Sequence, residues 1–180
     1  VIQKVKRFME LEGFEVEIRN VAKDAYRCYM KVPALLYEQG ISPLQREKIL
    51  IQVDTTAQGY SYVPETVLIS KFDVFTHVRV TPIDILLSQK IFTAINRKRP
   101  KGRDFFDITF LSGLTKPDMG FLSKKLGANT AENVKKEVST RIAAFNFKKL
   151  AEDVSPFLIS QGDIQRVEKF QEFWEQVKLE

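Results

Sequence analysis

TVLISKFDVFTHVRVTPIDILLSQKIFTAINR, residues 66–97, changes its hydrophobic period once, at Pro82. Upstream of that proline, apolar and polar residues alternate, which predicts one bent strand or two short ones. Downstream, Ile83, Leu86, Leu87, Ile91 and Ala94 recur at helical spacing, which predicts a helix near 83–97. Proline supplies no amide hydrogen to a ladder, so it closes the strand and can open a helix.

Working outward in the N-terminal direction, KILIQVDTT (48–56) reads as a strand apolar enough to lie inside a sheet. AYRCYMKVP (25–33) and FEVEIRN (14–20) alternate as half-buried strands do, with Tyr26, Cys28 and Met30 on one face. ALLYEQG reads as one short helix ending at Gly40. Residues 1–12 carry Ile2, Val5, Phe8 and Met9 at helical spacing before Gly13. In the C-terminal direction no strand pattern returns. Helices are expected near 103–113, 117–126, 130–145, 146–153 and 163–178, with Thr130 and Asp163 as caps. The fold class is therefore α+β, with a strand-bearing region over 1–82 and a helical bundle over 83–180.

Composition narrows the chemistry. The 180 residues carry 28 Lys and Arg against 23 Asp and Glu, a net charge of +5 that permits a polyanionic partner without requiring one. A single cysteine excludes an internal disulfide and a thiolate zinc cluster, and a single histidine leaves little material for Ser-His chemistry. No apolar run reaches membrane-spanning length and no signal peptide opens the chain, so the sequence reads as cytoplasmic. It starts with Val1, already inside an amphipathic pattern, and an upstream part is expected to be missing.

Candidate chemistry concentrates in KIFTAINRKRPKGRDFFDITFL (90–111). Lys90 falls beside the apolar stripe of its helix, so its ammonium must either snorkel to solvent or meet an anion. Asp104 and Asp107, at i and i+3, share a helix face. Asp104 stands in the first turn, where a carboxylate caps the helix or offsets its dipole; Asp107 fits a solvated turn of that helix. With Arg103, the two carboxylates could instead organise a cation and a phosphate. Phe105, Phe106, Ile108, Phe110 and Leu111 are expected to anchor the helix. Arg97, Lys98, Arg99 and Lys101 make a basic turn suited to phosphate or to plain solvation. Asp54 ends its strand on the same face as Gln52, as a metal ligand or as the start of a turn. Glu15 and Glu17 read as a solvent face, His77 as structural, and Cys28 as a buried thiol.

On these residues the sequence resembles the AbiEii/AbiGii toxin family of nucleotidyltransferases. The segment 83–111 is similar to that family's Leu-x-x-x-Lys-Leu helix, basic turn and Arg-Asp-x-x-Asp. KILIQVDTT is similar to the strand preceding it, and the likeness spans roughly 1–112. The resemblance implies a mixed-sheet nucleotidyltransferase-like half followed by helices. It implies Mg2+-dependent transfer of nucleotides from an NTP to an acceptor such as tRNA, in a toxin–antitoxin or phage-defence system with a cognate antitoxin.

By the same resemblance Lys90 holds nucleotide phosphates with Arg103, Asp104 or Asp107 is the essential aspartate, and Asp54 is the metal ligand. Arg97, Lys98, Arg99 and Lys101 would meet nucleic acid. The family's Gly-Ser or Gly-Gly turn and its Asp-x-Asp strand occur nowhere in the 180 residues, so this chain alone is expected to be inactive. The alternative is a noncatalytic module that binds RNA or an antitoxin. Lys90, Asp54 and the Asp104/Asp107 pair are expected to converge. Neutralising Arg97, Lys98 and Lys101 together is expected to leave the melting temperature nearly unchanged.

Overall fold

The computed structural model describes residues 2–22 and 26–180, in two compact units, Val1–Gly59 and Tyr60–Glu180. In the first, helix α1 (Ile2–Leu11) precedes strands β1 (Glu17–Ala22) and β2 (Tyr26–Pro33). A short helix α2 (Leu35–Glu38) follows, then β3 (Lys48–Thr55). The three strands form an antiparallel sheet in the order β1-β2-β3, with Cys28 facing Val53 and Asn20. Val16, Cys28, Met30 and Val32 are buried, the last three by the period-two alternation of β2.

β3 is therefore an edge strand, not an interior one. Among the described residues it pairs on one side only, Leu50 and Ile51 are exposed, and its apolar run does not mark a central position. The segment 66–80 resolves into two strands, β4 (Glu65–Lys71) and β5 (Val74–Val80), which form their own hairpin. The turn is made at Phe72, whose φ of 51° is the left-handed region.

Helices fill the rest of the second unit: α3 (Ile83–Asn96), α4 (Gly102–Ser112), α5 (Met119–Leu126), α6 (Ala131–Ile142) and α7 (Phe147–Val154). Side-chain caps explain three of these starts. Asp118 accepts from Phe121 N–H, Thr130 from Asn133 N–H, and Asn146 from Lys149 N–H. The Asp118 carboxylate also accepts from the Tyr60 hydroxyl at 2.8 Å, and that hydrogen bond pushes the phenol above its ordinary range.

Three expectations change here. The last helix is not continuous over 163–178: a 3-10 turn (Gln161–Ile164) leads into α8 (Gln165–Glu168), and α9 (Phe170–Gln176) restarts after Lys169. Asp163 sits inside that 3-10 turn, paired with Arg166 at 2.9 Å, and does not cap a long helix. The buried side of α3 is Ile85, Leu87, Ser88, Ile91, Ala94 and Ile95, whereas Ile83, in its first turn, is exposed.

Helix α4 is the centre of the unit, packing against α3, α7, α8 and α9. Phe105 is fully buried and meets the edges of Phe145, Phe147 and Phe170 at centroid distances of 4.8–6.0 Å. Phe110 is exposed on the opposite face, stacked on Phe106, and does not anchor the helix as its composition suggests.

Candidate functional site

The α3–α4 contact brings four charged side chains together. Lys90 Nζ lies 2.5 Å from Asp107 Oδ2 and 3.8 Å from Asp104 Oδ1, and Arg97 Nε lies 3.4 Å from Asp104 Oδ2. Helix periodicity explains the pairing. Asp104 and Asp107 are one turn apart on α4, and Lys90 and Arg97 are two turns apart on or just beyond α3. Of the two readings of Lys90, the ammonium meets an anion.

The cluster is asymmetric in burial. The Asp104 side chain is 2% exposed, whereas Lys90, Asp107 and Arg97 each keep roughly a third of theirs in solvent. Asp104 is not a cap: it stands inside the first turn of α4, whose N-cap residue Lys101 makes no side-chain cap, and its carboxylate is buried beside the two cations. Its Oδ2 has no hydrogen-bond partner among the described residues, because Arg97 approaches in distance without the required alignment. A buried carboxylate oxygen held by charge alone keeps unused acceptor capacity.

The basic turn divides into two kinds of cation. Arg97 pairs with Asp104, and Lys101 Nζ lies 3.2 Å from Asp153 Oδ1 on α7. Asp153 also accepts from the Gly102 N–H at 3.4 Å, so it ties the turn to the bundle. Sequence reasoning missed Asp153; its i+4 spacing from Lys149 in KKLAEDV suggests only a solvated helix face. Lys98, Arg99 and Arg103 are exposed and make no ion pair among the described residues. Of the three residues in the expected neutral variant, only Lys98 has no ion pair among the described residues, so an unchanged melting temperature is expected for Lys98 and not for Arg97 and Lys101.

Asp54 belongs to the first unit. It accepts from Arg27 Nε at 3.0 Å and from Gln52 Nε2 at 2.8 Å, and both carboxylate oxygens are engaged. Glu17 is on the solvent face as its alternation predicts. Its hydrogen bond to Lys48 holds its carboxyl below the ordinary range. Among the described residues no group of three or more His, Cys, Asp and Glu side chains could hold a metal ion. Asp104 and Asp107 are already answered by two cations, so these residues do not fit a resident Mg2+ by themselves. Their geometry suits holding Lys90 in place.

The family model for the nucleotidyl transferase AbiEii toxin, type IV toxin–antitoxin system, matches residues 1–176. The chain belongs to the AbiEii family. That membership supports a toxin nucleotidyltransferase with a nucleotide substrate and an antitoxin partner. Comparison with curated proteins and with solved structures gives no match. No helix among the described residues is long and apolar enough to cross a membrane.

Proposed function

We propose that this AbiEii-family chain contributes the phosphate-holding half of a nucleotidyltransferase site, centred on Lys90. The observation that carries the reading is a lysine fixed between Asp107 and the buried Asp104, in the segment that resembles the family's Lys…Arg-Asp-x-x-Asp pattern. A divalent cation would arrive as the Mg·NTP complex. When bound, it would offset the charge that develops as an acceptor hydroxyl attacks the α-phosphorus and pyrophosphate leaves.

Lys90 would supply a fixed positive charge to the triphosphate. Asp107 and Asp104 orient the ammonium, which costs less reorganisation at the moment of transfer than a free lysine. Exposed Arg103 stands on the same first turn of α4 as Asp104, within the segment that would meet the phosphates. Asp54 remains the proposed metal ligand of the first unit, conditional on exchanging Arg27 for the cation.

The reading makes a direct binding prediction. Lys90→Arg keeps the charge but not the compact ammonium, and is expected to weaken Mg·ATP binding on the order of tenfold in calorimetry. Equal affinity in parent and variant would remove Lys90 from the site.

A second expectation concerns turnover. The family's Asp-x-Asp strand, on which two-metal phosphoryl transfer rests, does not occur in these 180 residues, so the chain should incorporate no labelled nucleotide into tRNA. Incorporation that Asp107→Asn abolishes would overturn it.

The exposed half of the basic turn favours an RNA acceptor. Lys98 and Arg99 have no structural partner among the described residues, and exposed like charges contribute little to folding. Changing both to Gln should leave the melting temperature within about 1 °C. It should weaken tRNA binding and make log Kd less steep in log salt by roughly 1.5, two contacts at about 0.7–0.9 each. Unchanged affinity and slope would make the turn ordinary solvated surface.

A further inference from the structure

Beside the basic turn, and apart from the Lys90 cluster, the second unit holds a cleft of about 500 Å3 lined by Pro100, Ala144, Phe145, Asn146, Lys149 and Leu150, with Asp153 at its edge. That volume lies within the range of small-molecule sites, about 300–1,000 Å3. Its floor is apolar and rigid. Phe145 is half-buried and stands edge-on against Phe105 at 6.0 Å, and Leu150 is buried in the bundle core. Pro100 forms a further wall with a fixed backbone angle.

The rim is polar and cationic. Lys149 is exposed without an ion-pair partner among the described residues, as are Lys98 and Arg99 immediately before Pro100. The one acid at the edge, Asp153, is already paired with Lys101. Asn146 spends its side-chain oxygen capping α7, accepting from Lys149 N–H at 3.1 Å. That fixes its amide orientation and leaves its N–H groups available to a ligand. An apolar slot with an aromatic wall, amide donors and several uncompensated cations is complementary to one class of group: a flat heterocycle carrying phosphate on either side.

We propose that this cleft takes an unstacked nucleobase of a single-stranded RNA, with the flanking phosphates on Lys149 and on the Lys98–Arg99 side of the turn. The inference rests on the transferase reading insofar as the RNA would be the acceptor, but the cleft shares no residue with the Lys90 cluster. Base stacking then supplies affinity that phosphate contacts alone cannot, because every base presents a π-face whatever its sequence.

The test compares a short oligoadenylate with an abasic ribose-phosphate strand of equal length, by fluorescence anisotropy with the full chain. The parent should bind the oligoadenylate on the order of tenfold more tightly, although both strands carry the same charge. Ala144→Trp, at an exposed lip position, should fill the slot and abolish that discrimination while leaving abasic-strand affinity and Mg·ATP binding unchanged. Equal binding of the two strands by the parent would overturn the proposal, as would discrimination that survives in a folded Ala144→Trp. Loss of Mg·ATP binding in that variant would overturn its assignment as a separate subsite. Mg·ATP binding reports on the Lys90 site and strand discrimination on the cleft, so the two readings fail separately. A second measurement needs no variant: a photoreactive 4-thiouridine strand should crosslink to the segment 144–150. Adducts confined to other segments would exclude the cleft.

Discussion

Lys90→Met should lower the stability of the second unit by about 2–3 kcal/mol. Trp174 fluorescence during urea denaturation would measure it, since the chain's one tryptophan is buried in that unit. Methionine keeps the length and apolar stem of lysine, so packing between α3 and α4 changes little. What changes is that Asp104, almost fully buried, loses one of two compensating cations, and the remaining Arg97 is 3.4 Å away without hydrogen-bond alignment.

Removing one partner of a buried pair typically costs about 3–5 kcal/mol, and the partial exposure of Lys90 places this case below that range. The companion variant is decisive. Lys90→Met combined with Asp104→Asn removes the charge as well as its partner and should recover at least half of the loss. A Lys90→Met midpoint within experimental error of the parent would mean that Arg97 alone satisfies Asp104. So would a double variant no more stable than the single.

This cluster also shows where the sequence is legible and where it is not. Lys90 next to an apolar stripe, followed by two aspartates one turn apart, leaves two readings, an ammonium that snorkels to solvent or one that meets an anion, and the packing decides for the second. Which aspartate is buried is not encoded locally. A first-turn carboxylate such as Asp104 has the same sequence signature whether it caps its own helix or faces another, and only the packing of α3 against α4 decides.

The start of α6 was readable because Thr130 caps it, and the start of α3 because the period changes at Pro82. The break between α8 and α9 was not, since Val167, Phe170 and Trp174 continue one buried stripe across Lys169. β3 misled for a related reason. Hydrophobicity measures what a strand could bury, whereas edge or centre is set by how many neighbours it pairs with. The cleft beside Pro100 left no sequence signal at all, because its walls come from the turn before α4 and the junction of α6 with α7.

Gly102→Ala sets local propensity against tertiary packing. Gly102 is the first residue of α4, where helix propensity alone favours alanine, by up to about 1 kcal/mol in a helix interior. The neighbouring helix reverses the sign. A Cβ built on Gly102 would lie 1.8 Å from the Leu150 carbonyl oxygen and 3.1 Å from Val154 Cβ, and the first of these is backbone that cannot rotate aside. Relief requires α4 and α7 to separate by more than 1 Å at their closest approach.

That movement would open the packing around Phe105 and pull Asp153 away from both Lys101 and the Gly102 N–H. The expected loss is about 3 kcal/mol or more, read as a large drop in the Trp174 denaturation midpoint or as failure to accumulate folded protein. Gly113→Ala is the matched control. It lies at the other end of α4, exposed, with helical backbone angles and its nearest Cβ neighbour at an unstrained 3.4 Å, so its midpoint should move by less than about 0.5 kcal/mol. If both glycine variants denature with the parent's midpoint, α4 and α7 do not approach as closely as described, and the anchoring of the basic turn by Asp153 falls with that contact.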